Sequence, residues 1–227
     1  MIEKRQLVIP GDLLAEGAFN PGNNTFRDGE KIYAAKVGLA NYVGKNIYVV
    51  ALNGCYLPCP GDLVIGKIME VRLSNWIVDI NSPYIAVLFA SEVLERSFNP
   101  RKDEMSRIFD RGDLVLAKII SHEVNRDPIL TVREPGLGRI SSGQLIRMTP
   151  AKIPRLIGRK GSMISIIKKA SGANITVGQN GLVLISGKTI ESENLAISAI
   201  RKVEEESHTQ GLTDRMNEFL KKKLRSE

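Results

Sequence analysis

The chain has 227 residues, 43% of them hydrophobic, and carries a formal net charge of +7 at neutral pH. This length and apolar content suffice for two or three small globular units, and they exclude an intrinsically disordered chain. The sequence contains no uncharged apolar run of about 18 residues and no N-terminal apolar stretch ahead of a small-residue cleavage site. We therefore expect a soluble, cytoplasmic protein with no membrane partner.

A Gly-Asp turn followed by apolar residues occurs three times, at residues 10–14, 60–64 and 111–115. The second and third copies extend to GDLVIGKI and GDLVLAKI, which are typical of β-strands that leave a turn. Because so short a signal repeats easily by chance, it indicates β-rich units and not an internal duplication. Residues 1–59 are accordingly predicted to form an N-terminal β-rich domain.

Two cysteines, Cys55 and Cys59, lie in the stretch NGCYLPCPG. They cannot complete a four-ligand zinc site by themselves, and neither histidine stands at zinc-finger spacing from them. A disulfide between them would require an oxidising compartment, for which the sequence carries no targeting segment. We expect two buried or half-exposed thiols, and no metal or other cofactor.

Residues 60–140 contain five short strand-like runs and one long polar connection. The runs are GDLVIGKI, NWIVDI, IAVLFA, GDLVLAKI and ILTV. Five short strands within about eighty residues predict a small closed barrel of the OB type.

The polar connection of this barrel, residues 95–113, mixes cations with carboxylates. In an OB fold it lies where single strands are often gripped, although such a charge run is also typical of a solvated loop. Its candidate RNA-binding residues are Arg96, Arg101, Lys102, Arg107 and Arg111. Trp76 is a candidate for base stacking because it occupies a short strand beside a polar turn, although apolar alternation makes at least one barrel aromatic a core residue.

Residues 141–188 carry eight Lys or Arg residues and no Asp or Glu, whereas the remaining segments are each within one charge of neutral. A solvated surface normally mixes its signs. A stretch of this length without a carboxylate indicates a local positive field, which favours a polyanion such as RNA, DNA or an anionic lipid.

The elements predicted in this basic segment follow a β-α-α-β-β-α order. QLIRM predicts a strand, and Thr149 is expected to cap a helix that has Pro150 at its first position and ends at Gly158. A second helix is predicted from Ser162 to Gly172. The later elements are strands at 174–177 and 182–186, joined by the turn Gly-Gln-Asn-Gly, and a helix at 190–206.

The junction of the first two helices reads IGRKGSMI and resembles the signature of the KH domain, here of type I. The GXXG loop of that domain clamps about four single-stranded nucleotides by their backbone. Two glycines permit close approach, and the start of the second helix offers free N–H groups. Ile175 could also line the groove for bases. The candidate RNA-binding residues are Lys152, Arg155, Ile157, Gly158, Arg159, Lys160, Gly161 and Ile164.

The C-terminal residues predict one more amphipathic helix, with Leu212, Met216 and Leu220 on its apolar face and lysines near its end. Such a stripe more often packs on its own domain, and the alternative is a surface for a partner subunit or RNA. Residues 141–227 are thus assigned to a KH domain with a C-terminal helical extension. No motif for a hydrolase or a metalloenzyme is present, so we predict no active site.

The ordered set of a β-rich unit, an OB barrel like the S-one RNA-binding module and a single KH domain resembles the RNA-binding cap subunits of the archaeal exosome, of the ribosomal RNA processing protein four type. The matching stretches include VIPGDLLAEG, PGDLVIGKI, NWIVDINSPY and IPRLIGRKGSMI. The sister cap protein of that complex has a zinc ribbon in place of the KH domain, which two cysteines could not complete.

The resemblance implies a subunit without catalytic activity. Three such caps would sit on a hexameric ring of RNase PH-like subunits, bind the 3′ region of single-stranded RNA and feed it to phosphorolytic sites within the ring. The N-terminal domain would dock on the ring, the barrel would face the pore, and the KH domain would hold RNA at the periphery. The alternative that the sequence leaves open is a stand-alone RNA-binding protein or nuclease acting in translation or transcription.

Overall fold

The computed structural model describes residue 3 and residues 6–52, 54–94, 104–123, 126–207, 209 and 211–224. The chain divides into two compact units, Met1–Gly54 and Cys55–Glu227. No helix in the described part of the chain is long and apolar enough to cross a membrane. Cys55 and Cys59 are both exposed, so the expectation of buried or half-exposed thiols was wrong.

The N-terminal unit consists of two β-sheets that share one apolar core, which confirms the predicted β-rich domain. The first sheet has the order β1 (Leu7–Val8), β6 (Gly38–Val43), β7 (Asn46–Ala51) and β3 (Asn20–Pro21). The second has the order β2 (Leu13–Glu16), β5 (Lys31–Ala34) and β4 (Thr25–Asp28). Side chains such as Leu14, Ile32 and Ile47 fill the core because the strands alternate between buried and exposed positions.

The second unit begins with the predicted OB-type barrel of five strands. These are β8 (Leu63–Val71), β9 (Asn75–Asp79), β10 (Ile85–Phe89), β11 (Leu114–Glu123) and β12 (Arg126–Thr131). The barrel closes because β12 pairs both with β10, in parallel, and with β11, in antiparallel orientation. A short helix, α1 (Met105–Ile108), precedes β11, and β13 (Gly138–Ile140) pairs with the outer edge of β11.

The three Gly-Asp turns noted in the sequence share one hydrogen-bonded geometry. In each, the Asp carboxylate accepts the backbone N–H three residues earlier, at 2.9, 3.3 and 2.7 Å for Asp12, Asp62 and Asp113. The preceding glycine has φ of +93°, +92° and +96°, a range that disfavours any side chain. The Asp carbonyl then accepts an N–H from a neighbouring strand at 2.8–2.9 Å, so each turn starts its strand in a defined register.

The C-terminal part has the predicted β-α-α-β-β-α order followed by one more helix. Its elements are β14 (Gln144–Arg147), α2 (Ile153–Ile157), α3 (Ser162–Ser171), β15 (Asn174–Val177), β16 (Leu182–Ser186), α4 (Ile190–Glu205) and α5 (Leu212–Leu224). The sheet order is β14-β16-β15, and one apolar core joins it to the helices. Leu212, Met216 and Leu220 are buried in that core, which confirms that the apolar stripe of α5 packs on its own domain.

The start of α2 differs from the prediction. A 3₁₀ turn, Pro150–Lys152, precedes α2, and the Thr149 side chain does not cap it. Instead the Thr149 hydroxyl and backbone N–H both donate to Glu204 Oε1, at 3.0 and 2.8 Å. Thr149 therefore ties α2 to α4. Burial opposes ionisation of Glu204, but these bonds and Arg201 outweigh it and lower the pKa of this carboxyl.

The Gly-Gln-Asn-Gly turn between β15 and β16 inserts into the wall of the barrel. The Asn180 side chain, which is fully buried, donates to the carbonyls of Ile65 and Ile80 at 2.7 and 2.8 Å. Its amide oxygen accepts the Ile65 N–H at 3.4 Å, and its own backbone carbonyl accepts from Asn81 at 2.8 Å. A side chain at Gly178 would collide with the Asn180 amide oxygen. Barrel and KH domain are thus joined by buried hydrogen bonds as well as by apolar contacts.

Candidate nucleic-acid interface

The loop between α2 and α3 requires left-handed backbone angles at three of its four positions. Gly158, Lys160 and Gly161 have φ of +73°, +52° and +76°. A Cβ at Gly158 would lie 2.8 Å from the Met163 backbone nitrogen, so this position admits only glycine. At Gly161 space is available, and only the backbone angle favours glycine. Gly158 is therefore required by close packing as well as by its backbone angle, whereas Gly161 is favoured by its backbone angle alone.

The N-terminus of α3 is exposed to solvent and lies beside positively charged side chains. Among the described residues, no side chain caps this end of the helix, and its first turn holds no acidic residue. Arg159 and Lys160, which precede it, are both exposed. Uncapped N–H groups, the positive end of the helix dipole and two cations suit an anion such as a phosphate.

The isoleucines predicted beside the loop have different environments. Ile157 and Ile164 flank the loop and pack partly against the core, so each retains some exposed surface. Ile175 is 2% exposed and faces the core, so its predicted place in the base groove was wrong. Strand alternation explains this result, because Ile175 pairs with the buried Ile185 on the inner face of the sheet.

Lys152 and Arg155 direct their side chains to backbone carbonyls near the end of α4. Lys152 Nζ donates to the Glu204 carbonyl at 3.0 Å. Arg155 donates to the carbonyls of Ser207 and Thr209, at 2.8 and 3.3 Å. Of the four cations predicted at this site, Arg159 and Lys160 are therefore the two that extend from the loop into solvent without a hydrogen bond to any described residue.

Trp76 cannot stack on a base, and its prediction as a binding residue was wrong. The side chain is fully buried, its Nε1–H donates to the Phe109 carbonyl at 2.9 Å, and its ring meets Phe109 edge to face at 5.3 Å. Phe89, at 39% exposure, is instead the aromatic ring that β10 presents outward, beside Val87 and Ile77. The alternation of positions along IAVLF indicates this result. Leu88 is buried and pairs with Trp76, so Trp76 lies on the inner face, whereas the next residue, Phe89, lies on the outer face.

The cations of the barrel connection lie only partly within the described residues. Arg107 is exposed and forms an ion pair with Glu104 at 2.6 Å, and Arg111 is exposed at the turn before β11. Arg96, Arg101 and Lys102 lie outside the described residues. An exposed pair such as that of Arg107 contributes little to stability, so its guanidinium can exchange partners at low energetic cost.

Three family models match consecutive parts of the chain. Residues 5–53 match the Exosome RNA binding protein RRP4 N-terminal domain, residues 55–121 match the RRP4 S1 domain, and residues 144–202 match the KH domain. The order agrees with that inferred from the motifs.

Curated relatives match over nearly the whole length. The Exosome complex component Rrp4 of Thermococcus kodakarensis is 48% identical, with 99% of this chain and 88% of the relative covered. The protein of the same description from Thermofilum pendens is 43% identical, covering 99% and 96%. A crystal structure described as an exosome complex RNA-binding protein is 41% identical, with a TM-score of 0.71 over 76% of this chain and 99% of that one.

Proposed function

Because the chain belongs to the Rrp4 family of exosome complex components, we propose that it is a non-catalytic RNA-binding subunit of a cytoplasmic exosome. The observation that carries the proposal is the exposed Gly158-Arg-Lys-Gly161 loop, which leads into an uncapped helix N-terminus within a segment without carboxylates. Backbone N–H groups and cations together favour the phosphates of a single strand and do not depend on base identity.

The barrel supplies a second surface for the same strand. Its outward face carries Phe89 beside Val87 and Ile77, and its connection carries Arg107 and Arg111. Exposed aromatic rings and cations are the components that sequence-tolerant single-strand binding uses. We assign Arg96, Arg101 and Lys102 to this surface from their sequence position.

Matched variants of Phe89 and Trp76 test whether the outward face of the barrel binds RNA. Phe89→Ala should weaken RNA binding by about tenfold, since stacking on an aromatic ring contributes about 1–3 kcal/mol per base, and it should leave stability unchanged. Trp76→Phe should lower the free energy of unfolding by about 1–2 kcal/mol, because the Phe109 carbonyl loses its buried donor, and should leave RNA affinity unchanged.

Urea unfolding followed by circular dichroism, and titration of a fluorescein-labelled oligoadenylate, measure the two effects. A loss of affinity in Trp76→Phe without a loss of stability would contradict the assignment of the two rings.

The N-terminal unit supports docking through an apolar cross-strand row on its outer surface. Leu13 on β2, Tyr33 on β5 and Phe26 on β4 lie opposite one another in register. Leu13 and Phe26 are 45% and 47% exposed, and the rings of Phe26 and Tyr33 stack at 5.6 Å. Interface cores are enriched in such aromatic side chains. We assign this row to the contact with RNase PH-like ring subunits, with three copies of the chain on a hexameric ring.

The direct experiment is the native mass of the complex recovered from cells through a tag on this chain. Equal stoichiometry with RNase PH-like subunits is the expected result. Recovery of the chain alone, or with ribosomes, would support the stand-alone alternative. Shortening of RNA by the purified chain alone, with phosphate or magnesium supplied, would contradict the absence of catalysis.

The double variant Leu13→Asp/Phe26→Asp should fold, because both side chains are exposed, yet lose at least tenfold in recovery of the ring. Two buried charges without partners would oppose the apolar contact. Ile190→Asp, at a position 73% exposed in the KH domain, is the matched control and should assemble normally. Full recovery of the ring by the double variant would rule out this row as the docking surface.

A further inference from the structure

Helix α2, which leads into the Gly158-Arg-Lys-Gly161 loop, is too short to be stable by itself. It spans five residues, Ile153–Ile157, with Pro154 near its start. Helices this short are unstable in isolation, so tertiary contacts must hold its direction. The direction matters, because Gly158 packs so closely on the start of α3 that a Cβ there would meet backbone at 2.8 Å.

The polar contacts that hold α2 come from a segment remote in sequence, the α4–α5 corner, defined as residues 204–207 and 209. It comprises the last residues of α4 and those that follow it, and the Glu204 carbonyl is one that a helix C-terminus leaves without an intrahelical donor. Lys152 donates to the Glu204 carbonyl, and Arg155 reaches the carbonyls of Ser207 and Thr209. Lys152 therefore bonds the end of α4 and Arg155 the segment that follows it, and together they orient α2.

The α4–α5 corner is itself held in place by polar and apolar contacts, so it can fix the position of α2. Glu206 accepts from Lys202 at 2.6 Å and from Arg215 at 2.8 Å, so both α4 and α5 contribute. Ser207 is 6% exposed, and Leu212 is buried in the domain core directly after the corner. If Arg155 left this corner to bind a phosphate, the carbonyl of the buried Ser207 would lose its donor.

We propose that Arg155 and Lys152 are positioning residues, which hold α2 on the α4–α5 corner and thereby orient the glycine loop for phosphate, and that they are not phosphate ligands themselves. The part of this inference that concerns RNA rests on the proposed function. It also gives the C-terminal helix an indirect role in RNA binding, through the bond from Arg215 to Glu206 of the corner.

The salt dependence of RNA binding separates a positioning residue from a ligand. Each lost phosphate contact lowers the slope of log affinity against log salt by about 0.7 for single strands. Using the full chain and a fluorescein-labelled oligoadenylate, we expect Arg155→Ala to lose about threefold to tenfold in affinity, the equivalent of one or two hydrogen bonds, with an unchanged slope. Arg159→Ala should lose affinity with a smaller slope. Lys169→Ala, an exposed cation at the far end of α3, controls for removal of one charge.

Hydrogen exchange of residues 153–161 provides a readout that does not involve RNA. Arg155→Ala should accelerate exchange there, whereas Arg159→Ala should not. A reduced salt slope in Arg155→Ala would overturn the proposal by making Arg155 a ligand, and unchanged exchange would overturn it by removing the positioning role. If Arg155→Ala accelerates exchange but neither it nor Arg159→Ala alters RNA affinity, the positioning of the loop stands and the proposed function of the loop fails.

Discussion

Replacing Asn180 by Leu should lower the free energy of unfolding of the Cys55–Glu227 unit by about 2–5 kcal/mol, since a buried polar group deprived of its partner costs about 1–3 kcal/mol. The Asn180 side chain is fully buried and donates to two barrel carbonyls, those of Ile65 and Ile80. Leu has the same number and branching of side-chain heavy atoms but neither donates nor accepts a hydrogen bond. The barrel and the KH domain would then keep their apolar contacts and the backbone hydrogen bonds of residues 179 and 180, but would lose every hydrogen bond of the Asn180 side chain.

Urea unfolding followed by Trp76 fluorescence and by circular dichroism measures this effect. Trp76, the one tryptophan of the chain, reports on the barrel, whereas the helical signal reports mainly on the KH domain and its extension. In the parent chain the two signals should change together for this unit. In Asn180→Leu they should separate, because the junction would couple the two domains less strongly.

Asn174→Leu is the matched control, because Asn174 is an exposed asparagine on β15 of the same sheet. A surface substitution of this kind should change stability by no more than about 0.5 kcal/mol. If Asn180→Leu fell within the same limit, the buried hydrogen bonds of the turn would contribute nothing to the junction.

Changing Arg159 and Lys160 together to Asp should weaken RNA binding by about tenfold to a hundredfold at moderate salt and reduce the salt slope by about 1.4, the value for two lost phosphate contacts on a single strand. Both side chains are exposed, so the fold should persist. Position 160, with φ of +52°, tolerates the change because Asp adopts left-handed angles more readily than most residues.

A graded series makes this prediction specific. Arg159→Gln/Lys160→Gln removes the same two cations without adding anions and should lie between the parent and the Asp variant. Lys168→Gln/Lys169→Gln removes two cations from the last turn of α3 and should have a smaller effect. An unchanged affinity and slope in the Asp variant would show that the loop does not hold RNA.

The strands and helices of the KH domain were predictable because their signals are local. Positions 174–177 and 182–186 were predicted as strands and are strands. The helix predicted from Ser162 ends at Ser171, where Gly172 adopts a left-handed angle. Thr189 caps α4 by accepting the Ser192 N–H, as a Thr before a helix with an acidic first turn indicates.

The failures share a different cause. Trp76 was judged by its neighbours along the chain, but its burial depends on Phe109, 33 residues away. Strand parity would have corrected this prediction, because Trp76 alternates in step with Val78 and Ile80, which are also buried. Ile175 was misjudged for the same reason.

The sequence by itself determined the order of the three domains, the glycines of the loop and the concentration of positive charge around it, because each depends on residue type at short spacing. Only the tertiary structure decided which polar side chains are hydrogen-bonded to distant parts of the protein itself. Arg155 meets carbonyls more than 50 residues away, and Asn180 meets the barrel across 115 residues. Such pairings depend on the packed positions of whole elements, which no local pattern of residues specifies.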